Sequence, residues 1–350
     1  MRTMIQRMLE AEGDIEIVGL AENARHARSM IREQDPDVVT LDVEMPGMNG
    51  LAFLEKIMTL RPVPVIMVSS LTERGRDTTL EALAIGAVDA VSKPSGPGDF
   101  AAWGEQLRSL VRNAARARVL PRQRATAQAP PPASRAVSGR ADLLVAIGAS
   151  TGGVAALGEL IQKLPRNCPP IVITQHMPVG YTERFARRLA QQLGLDCAEA
   201  RDGEPLSSGM IRIAPGNRHL EIAARAADWI TRLGDSAPMS GHCPSVDRLF
   251  LSIARSRPER TLGIIMTGMG KDGARGLLAM RQAGAACLAQ SRESCVVYGM
   301  PKVAREMGAV EAELPITGLA QRIAKFGGRS ETAGRPPGQT NDITRKIPHA

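Results

Sequence analysis

The stretch Leu143 to Gly153, LLVAIGASTGG, limits what this chain can fold into more than any other. Leu143 to Ile147 is an apolar run and reads as a buried strand. The run breaks at Gly148-Ala149-Ser150-Thr151-Gly152, which has the G-x-S-x-G spacing of a nucleophile elbow. Helical sequence follows, Val154 to Ile161. Strand, sharp glycine turn and helix are the setting that this spacing needs. The glycines tolerate a tight backbone. The turn lifts the Ser150 hydroxyl above a sheet edge and beside a helix N-terminus, whose N–H groups can meet a developing oxyanion. The same residues also fit an ordinary turn in which Ser150 only caps the helix. The stretch alone leaves both readings open.

The chain has 350 residues, room for two domains, and at 43% hydrophobic content it can bury a core. A net charge of +8 raises the question of nucleic acid or a membrane surface. Much of the arginine, however, sits in one proline-rich middle stretch and near the C-terminus. Aromatics are 3% of residues, which leaves few platforms for base stacking, so nucleic acid is not an expected partner. Five cysteines, Cys168, Cys197, Cys243, Cys287 and Cys295, form no C-x-x-C pair, and an odd count argues against a disulfide framework. That fits a reducing cytoplasm. No stretch resembles a signal peptide or a membrane span.

Met1, Met4, Ile5, Met8 and Leu9 follow the rhythm of an amphipathic helix. Strand patterns then alternate with helical ones. Strands are expected at Ile15 to Leu20, Val38 to Asp42, Val63 to Ser69 and Ala87 to Ser92. Helices are expected at Ala24 to Glu33, Leu51 to Leu60, Asp77 to Ile85 and Phe100 to about Arg112. Met45 to Gly50 reads as a loop. This alternation predicts a parallel, doubly wound sheet. In such sheets chemistry gathers at the C-terminal strand ends, where Asp42, Ser69 and Lys93 all fall. Singly, they read as a cap, a turn residue and a solvated charge.

From Asn113 to about Arg140 an Arg-, Ala- and Pro-rich stretch reads as a semi-extended linker. The alternation then resumes, with Leu143 to Ile147 before Ser150 and Pro170 to Gln175 before His176. Ile211 to Ala214 precedes His219, Leu262 to Met266 precedes Asp272, and Ala285 to Gln290 is a last core strand. Beyond about Gly328 the composition turns polar and is expected to be disordered. The domains are therefore expected at 1–112 and 141–328, joined by the linker 113–140 and followed by a tail, 329–350.

Ser150, His176 and Asp272 each lie just past a buried-type strand, so one sheet crest can bring them together. A serine hydroxyl needs a base to take its proton, and the base needs an orienting carboxylate. The chain order Ser, His, Asp matches neither the trypsin-like nor the usual α/β-hydrolase order, but a triad is defined by its geometry. His219 and His242 are rival bases, with pocket-lining or structural roles preferred. A metal site at His242 and Cys243 lacks further spaced ligands. Gly268 to Gly273 has the formal G-x-G-x-x-G spacing of a dinucleotide site, without an acidic residue ending the next strand.

Two resemblances sharpen these readings. DVEMPGMNG around Asp42 and SKP around Lys93 resemble the receiver domain of two-component response regulators. The resemblance implies a flavodoxin-like fold in which Asp42 accepts a phosphoryl group from a chemotaxis histidine kinase. Ser69 and Lys93 would then act as switch residues that bond and neutralise the phosphate. Ala90 stands where many receivers carry an aromatic residue. GASTGG, ITQHMP, APGNRH, HCPSVD, TGMGKDG and VYGMPK resemble the catalytic domain of the CheB family of chemotaxis protein-glutamate methylesterases. Cys243 replaces the arginine usual there. This resemblance implies hydrolysis of γ-glutamyl methyl esters on methyl-accepting receptors, with related deamidation of glutamines. Ser150 would be the nucleophile, His176 the proton shuttle and Asp272 its orienter. Thr151, Met269 and Gly270 would line the pocket or hold the oxyanion. Hydrolysis needs no cofactor, and Mg²⁺ would serve only the receiver. The rival reading is a non-catalytic regulator whose C-terminal domain binds a partner or nucleotide.

Receivers open on a strand ending in an acidic pair that holds Mg²⁺, whereas this sequence opens on the helix that follows it. No metal ligands are therefore expected in this chain, and Ile15–Leu20 and Val38–Asp42 lack their shared neighbour. We expect a polypeptide of this sequence to keep esterase chemistry with most phosphorylation control lost. Incubation with acetyl phosphate and Mg²⁺, following Asp42 phosphorylation and methanol release, checks this. Stoichiometric phosphorylation with a large rise in rate would refute it.

Overall fold

The structure is a computed structural model that describes residues 1–43, 49–70, 72–94, 96–119, 140–225 and 228–328. The loop read at Met45 to Gly50 lies mostly outside these residues, as do most of the linker and the tail.

The N-terminal unit contains α1 (Arg2–Glu10), α2 (Ala24–Gln34), β1 (Val39–Asp42), α3 (Gly50–Leu60), β2 (Val65–Ser69), α4 (Glu73–Ile85), β3 (Asp89–Ser92) and α5 (Phe100–Ala114). The strands form a parallel sheet of order β1-β2-β3. β2 is buried along its whole length because both of its faces are covered. Leu54, Met58, Val65 and Met67 belong to the core on one face, and Ile66, Val68, Trp103 and Leu107 to the core on the other. Helix starts follow local capping chemistry: Asn23 accepts from His26 N–H and Thr72 from Gly75 N–H.

The strand expected at Ile15–Leu20 does not form. A strand exists only through a ladder, and among the described residues this segment joins none. Ile15 and Ile17 still pack against the sheet, while Val18 and Leu20 are exposed. Period-two hydrophobicity survives as one-sided packing without hydrogen-bond pairing.

The C-terminal unit contains β4 (Leu144–Ala149), α6 (Gly153–Gln162), β5 (Ile171–Gln175), α7 (Tyr181–Leu193), β6 (Asp196–Glu199), β7 (Met210–Ile213), β8 (Leu220–Arg225), β9 (Asp228–Leu233), α8 (Val246–Ala254), β10 (Thr261–Ile265), α9 (Ala274–Gln282), β11 (Ala286–Gln290), α10 (Met300–Glu306), β12 (Ala312–Leu314) and α11 (Ile316–Gly327). A parallel sheet runs β12-β11-β10-β4-β5-β7-β6, and β8 and β9 pair as an antiparallel hairpin. Helices cover both faces. Leu157, Phe185 and Leu319 lie in one core, and Phe250, Leu277 and Met300 in the other. The expected doubly wound architecture is therefore present in both halves. β6, the hairpin and β12 were not expected. β6 and β12 are too short to carry a periodic signal.

β4 sits between β5 and β10, so the chain reverses its direction of travel across the sheet there. That switch point opens a crevice at the carboxyl ends of the three strands. The receiver-like unit docks beside it. Leu80 of α4 is buried in the core of the C-terminal unit, and Arg184 of α7 pairs with Asp77 at 2.7 Å and Glu73 at 3.0 Å.

Candidate active site

β4, β5 and β10 end together because their pairing keeps them in register: Ile147 lies opposite Ile173 and Ile264. The residues that follow therefore converge. The Ser150 N–H donates to the Thr267 carbonyl at 3.0 Å, tying the β4 turn to the β10 turn. The sharp bend does not fall on Ser150, which has no positive φ. It falls on Gly152, with φ 76°, where an added Cβ would lie 2.6 Å from Val296 Cβ. Gly268 serves close approach: an added Cβ there would lie 2.7 Å from Ser150 Cβ. The turn is thus a glycine-ended cap of α6 rather than a strained serine elbow.

His176 Nδ1 lies 3.1 Å from Ser150 Oγ, and His176 Nε2 lies 2.8 Å from Asp272 Oδ2. The imidazole is thus turned so that Nε2–H donates to the carboxylate and Nδ1 faces the hydroxyl. This reverses the two nitrogens relative to the trypsin arrangement. Asp272 is 2% exposed and accepts three further hydrogen bonds. Val246 N–H donates at 2.7 Å, Asp247 N–H at 3.0 Å and Ser245 Oγ at 2.8 Å. Burial alone would raise its carboxyl. The bond and charge of His176, with the backbone N–H groups of α8, outweigh burial and hold it below the usual carboxylate range.

The two rival histidines take supporting places. His242 stacks on His176, ring centroids 3.8 Å apart with 12° between planes. Burial, and next the charge of His176, lower its pKa, with Asp272 opposing. His219 is fully buried. Its Nε2 donates to the Ala237 carbonyl at 2.8 Å, and its Nδ1 accepts from Ser245 N–H at 3.1 Å, bracing the start of α8. Gln175 Nε2 donates to the Ser150 carbonyl at 2.9 Å. The sequence reading missed Gln175 and Ser245, although the latter stands inside HCPSVD as an evident N-cap. Met269 and Gly270 lie exposed on the β10 turn beside Ser150. The formal G-x-G-x-x-G spacing builds that turn, with Gly270 and Gly273 at φ 84° and 88°.

Thr151 faces the other unit. Its Oγ1 donates to Asp89 Oδ2 at 2.9 Å, and the neighbouring Gly152 N–H donates to the Val88 carbonyl at 3.3 Å. Burial raises the Asp89 carboxyl, against the hydrogen bonds from Ala90 N–H and Thr151. The edge of β3 thus lies against the turn that carries Ser150, a contact the sequence did not announce.

At the other end of the receiver-like sheet, Lys93 Nζ lies 2.7 Å from Asp42 Oδ2. Ser69 is buried and its Oγ accepts from Thr79 Oγ1 at 2.8 Å. Among the described residues no three His, Cys, Asp or Glu side chains gather around a common point. A lone carboxylate already paired with lysine does not fit Mg²⁺, which needs a near-octahedral oxygen set.

Fold and geometry together define a response-regulator receiver joined to an α/β hydrolase with a Ser-His-Asp arrangement. The family model of the response regulator receiver domain matches residues 1–103, and that of CheB methylesterase matches residues 145–323. The protein-glutamate methylesterase/protein-glutamine glutaminase of Agrobacterium fabrum is 52% identical over 93% of this chain and 93% of its own. That of Rhizobium etli is 51% identical over 97% and 95%. The crystal structure of the Thermotoga maritima CheB methylesterase catalytic domain is 37% identical, with a TM-score of 0.51, and covers 53% of this chain and 98% of its own. This chain belongs to the CheB methylesterase family.

The lowered pKa of His242 has a testable sign. Above about pH 6.5 the imidazole is neutral in both folded and unfolded chains. As pH falls below that value the unfolded chain binds the proton first, so stability is lost until the folded His242 itself titrates. Between pH 7 and 5 the urea midpoint of the wild type should fall further than that of His242→Gln. An equal fall in both would show that His242 does not contribute.

Proposed function

We propose that this chain is a protein-glutamate methylesterase that also deamidates glutamine, with Ser150, His176 and Asp272 as its triad. The observation that carries the reading is the continuous hydrogen-bond path from Ser150 Oγ through both His176 nitrogens to Asp272. His176 Nδ1 takes the Ser150 proton as Oγ attacks the glutamyl ester carbonyl. Backbone N–H groups near Met269 and Gly270 face the oxyanion. Collapse of the tetrahedral adduct expels methanol, which leaves with the proton from His176. Water then attacks the acyl-serine, gives its proton to His176, and the glutamate carboxylate departs as Ser150 is reprotonated. Ammonia replaces methanol when the substrate is a glutamine. Asp272 stabilises the imidazolium formed at each stage.

The domain division falls at 1–112, 113–140 and 141–328. In the receiver, Asp42 is the phosphoryl acceptor and Lys93 its charge partner, with Ser69 released from Thr79 as the switch. The substrates are methyl-accepting chemoreceptors and the phosphodonor is a chemotaxis histidine kinase. The enzyme works in the cytoplasm. Among the described residues no helix is long and apolar enough to cross a membrane.

Ser150→Ala should lower methanol release from methylated receptor membranes by about 10⁴-fold or more, because the triad acts as a unit. Equal rates would end the proposal. The contact between β3 and the Ser150 turn holds the receiver over the site, so loosening it should raise the basal rate. Asp89→Ala removes one hydrogen bond worth about 0.5–1.5 kcal/mol, which corresponds to a rise of roughly two- to tenfold. Methanol release by the full chain without phosphodonor measures this. An unchanged or lower rate would show that the contact does not restrain the enzyme.

A further inference from the structure

A cleft of about 960 Å³ opens beside the reacting serine and is strongly basic. Met269 and Gly270 of the β10 turn form its inner end. Its floor, Val296 to Gly299, is bonded to that same turn. Gly268 N–H donates to the Val297 carbonyl at 3.1 Å, and Gly299 N–H donates to the Gly268 carbonyl at 3.1 Å. Outward from there stand Arg292 and, on α10, Lys302 and Arg305. Across the cleft stand Arg116 and Arg118 from the segment after α5, which is pinned there by Arg118 N–H donating to the Val296 carbonyl at 2.8 Å. Among the described lining residues the single carboxylate against these five cations is Glu306.

Most of this charge is not consumed internally. Among the described residues Arg116, Arg118 and Arg292 form no ion pair, and all three are exposed. The Arg292 guanidinium carbon lies 5.6 Å from the Tyr298 ring centroid, a cation–π contact that leaves its charge without a carboxylate partner. Lys302 meets Glu306 only at 3.8 Å, with both side chains more than half exposed, and such a contact contributes little. Arg305 is committed to Glu313 at 3.2 Å. Like charges held along one cleft repel each other, and a bound anion would relieve that cost.

We infer that this cleft is a substrate subsite that grips unesterified glutamate side chains flanking the glutamyl ester under attack. The inference rests on the methylesterase reading and deepens it. The chemistry fits: each turnover converts a neutral ester into a carboxylate, so a segment bearing several such positions grows more acidic as it is processed. A basic cleft beginning at the oxyanion end of the site would draw an acidic segment in and set its register. Because the cations lie at the rim, they act on association more than on the chemical step.

The test compares two peptides carrying one γ-methyl glutamate, flanked on each side by three glutamates in one and by three glutamines in the other. Methanol release by the full chain is followed at low and high salt. At low salt the acidic peptide should have a kcat/KM higher by about tenfold, carried by KM, and the advantage should shrink as salt rises. Arg292→Gln with Lys302→Gln should lower kcat/KM on the acidic peptide and leave the glutamine-flanked one unchanged; Arg116→Gln with Arg118→Gln should do the same. Poly-glutamate should inhibit competitively, and more strongly than duplex DNA of equal charge. Equal kcat/KM for the two peptides overturns the inference while leaving the esterase reading intact. So does equal loss on both in the variants, or stronger competition by DNA. No methanol from either peptide overturns both.

Discussion

The carboxylate of Asp272 is the group on which the rest of the site depends. It is buried, and a buried charge is costly unless it is paired and hydrogen-bonded. Here the first turn of α8 supplies two backbone N–H groups and a serine hydroxyl, and His176 supplies the fourth bond. The helix N-terminus favours negative charge, and together with the bond and charge of His176 it keeps Asp272 ionised. The consequence is mechanical as well as electrostatic. One side chain ties the β10 turn to α8, and through His176 to the β5 end. His219 braces the same turn of α8 from behind, and Asp247, one residue into it, accepts from Gly276 N–H at 2.7 Å and so fixes α9. The imidazole is therefore held on one edge by Asp272 and on one face by His242. Little freedom remains except for the proton on Nδ1.

The triad was legible because each member follows an apolar run long enough to be a buried parallel strand, and the carboxyl ends of such strands share one edge. Their convergence followed from alternation alone. The orientation of the imidazole did not, since it is set by which nitrogen finds Asp272, a property of α8 and not of the ITQHMP segment. The G-x-S-x-G spacing left open which of its residues carries the bend: the positive φ sits at Gly152, where Val296 leaves no room for a side chain. A spacing cannot reveal which of its residues bends. The strand expected at Ile15–Leu20 failed for the opposite reason. Its periodicity is genuine, but pairing is a property of two segments, and the described residues offer it no neighbour.

The docking of the receiver was invisible in the sequence because its residues carry ordinary explanations. Leu80 reads as one more helix-face apolar residue, Arg184 as one more surface charge and Asp89 as a strand-end carboxylate. Only their placement shows that α4 and β3 form one continuous face. β3 is the edge of its sheet, and edges are usually protected. Part of that edge is used here, since the Val88 carbonyl accepts from the start of α6.

That use puts regulation and chemistry on one turn. The N–H groups at the start of α6 are the natural electropositive feature beside Ser150, and the receiver already occupies one of them while Asp89 holds the hydroxyl of Thr151. A substrate segment approaching from that side must displace β3. One approaching along the basic cleft reaches the site past Met269 and Gly270, where the segment after α5 also lies. Both receiver contacts, β3 and the α5 extension, therefore border the turns around the same nucleophile. Asp42 and Lys93 lie at the carboxyl end of the sheet, whereas Asp89 begins β3. A charge change at Asp42 can reach Thr151 only by moving β3 or α4 as a body. The cost of that motion is set by what they hold: Leu80 in the hydrolase core, the buried Asp89 carboxyl and, to a smaller degree, the exposed Arg184 pairs. Of these, the single hydrogen bond from Thr151 to Asp89 is the one that touches the catalytic turn.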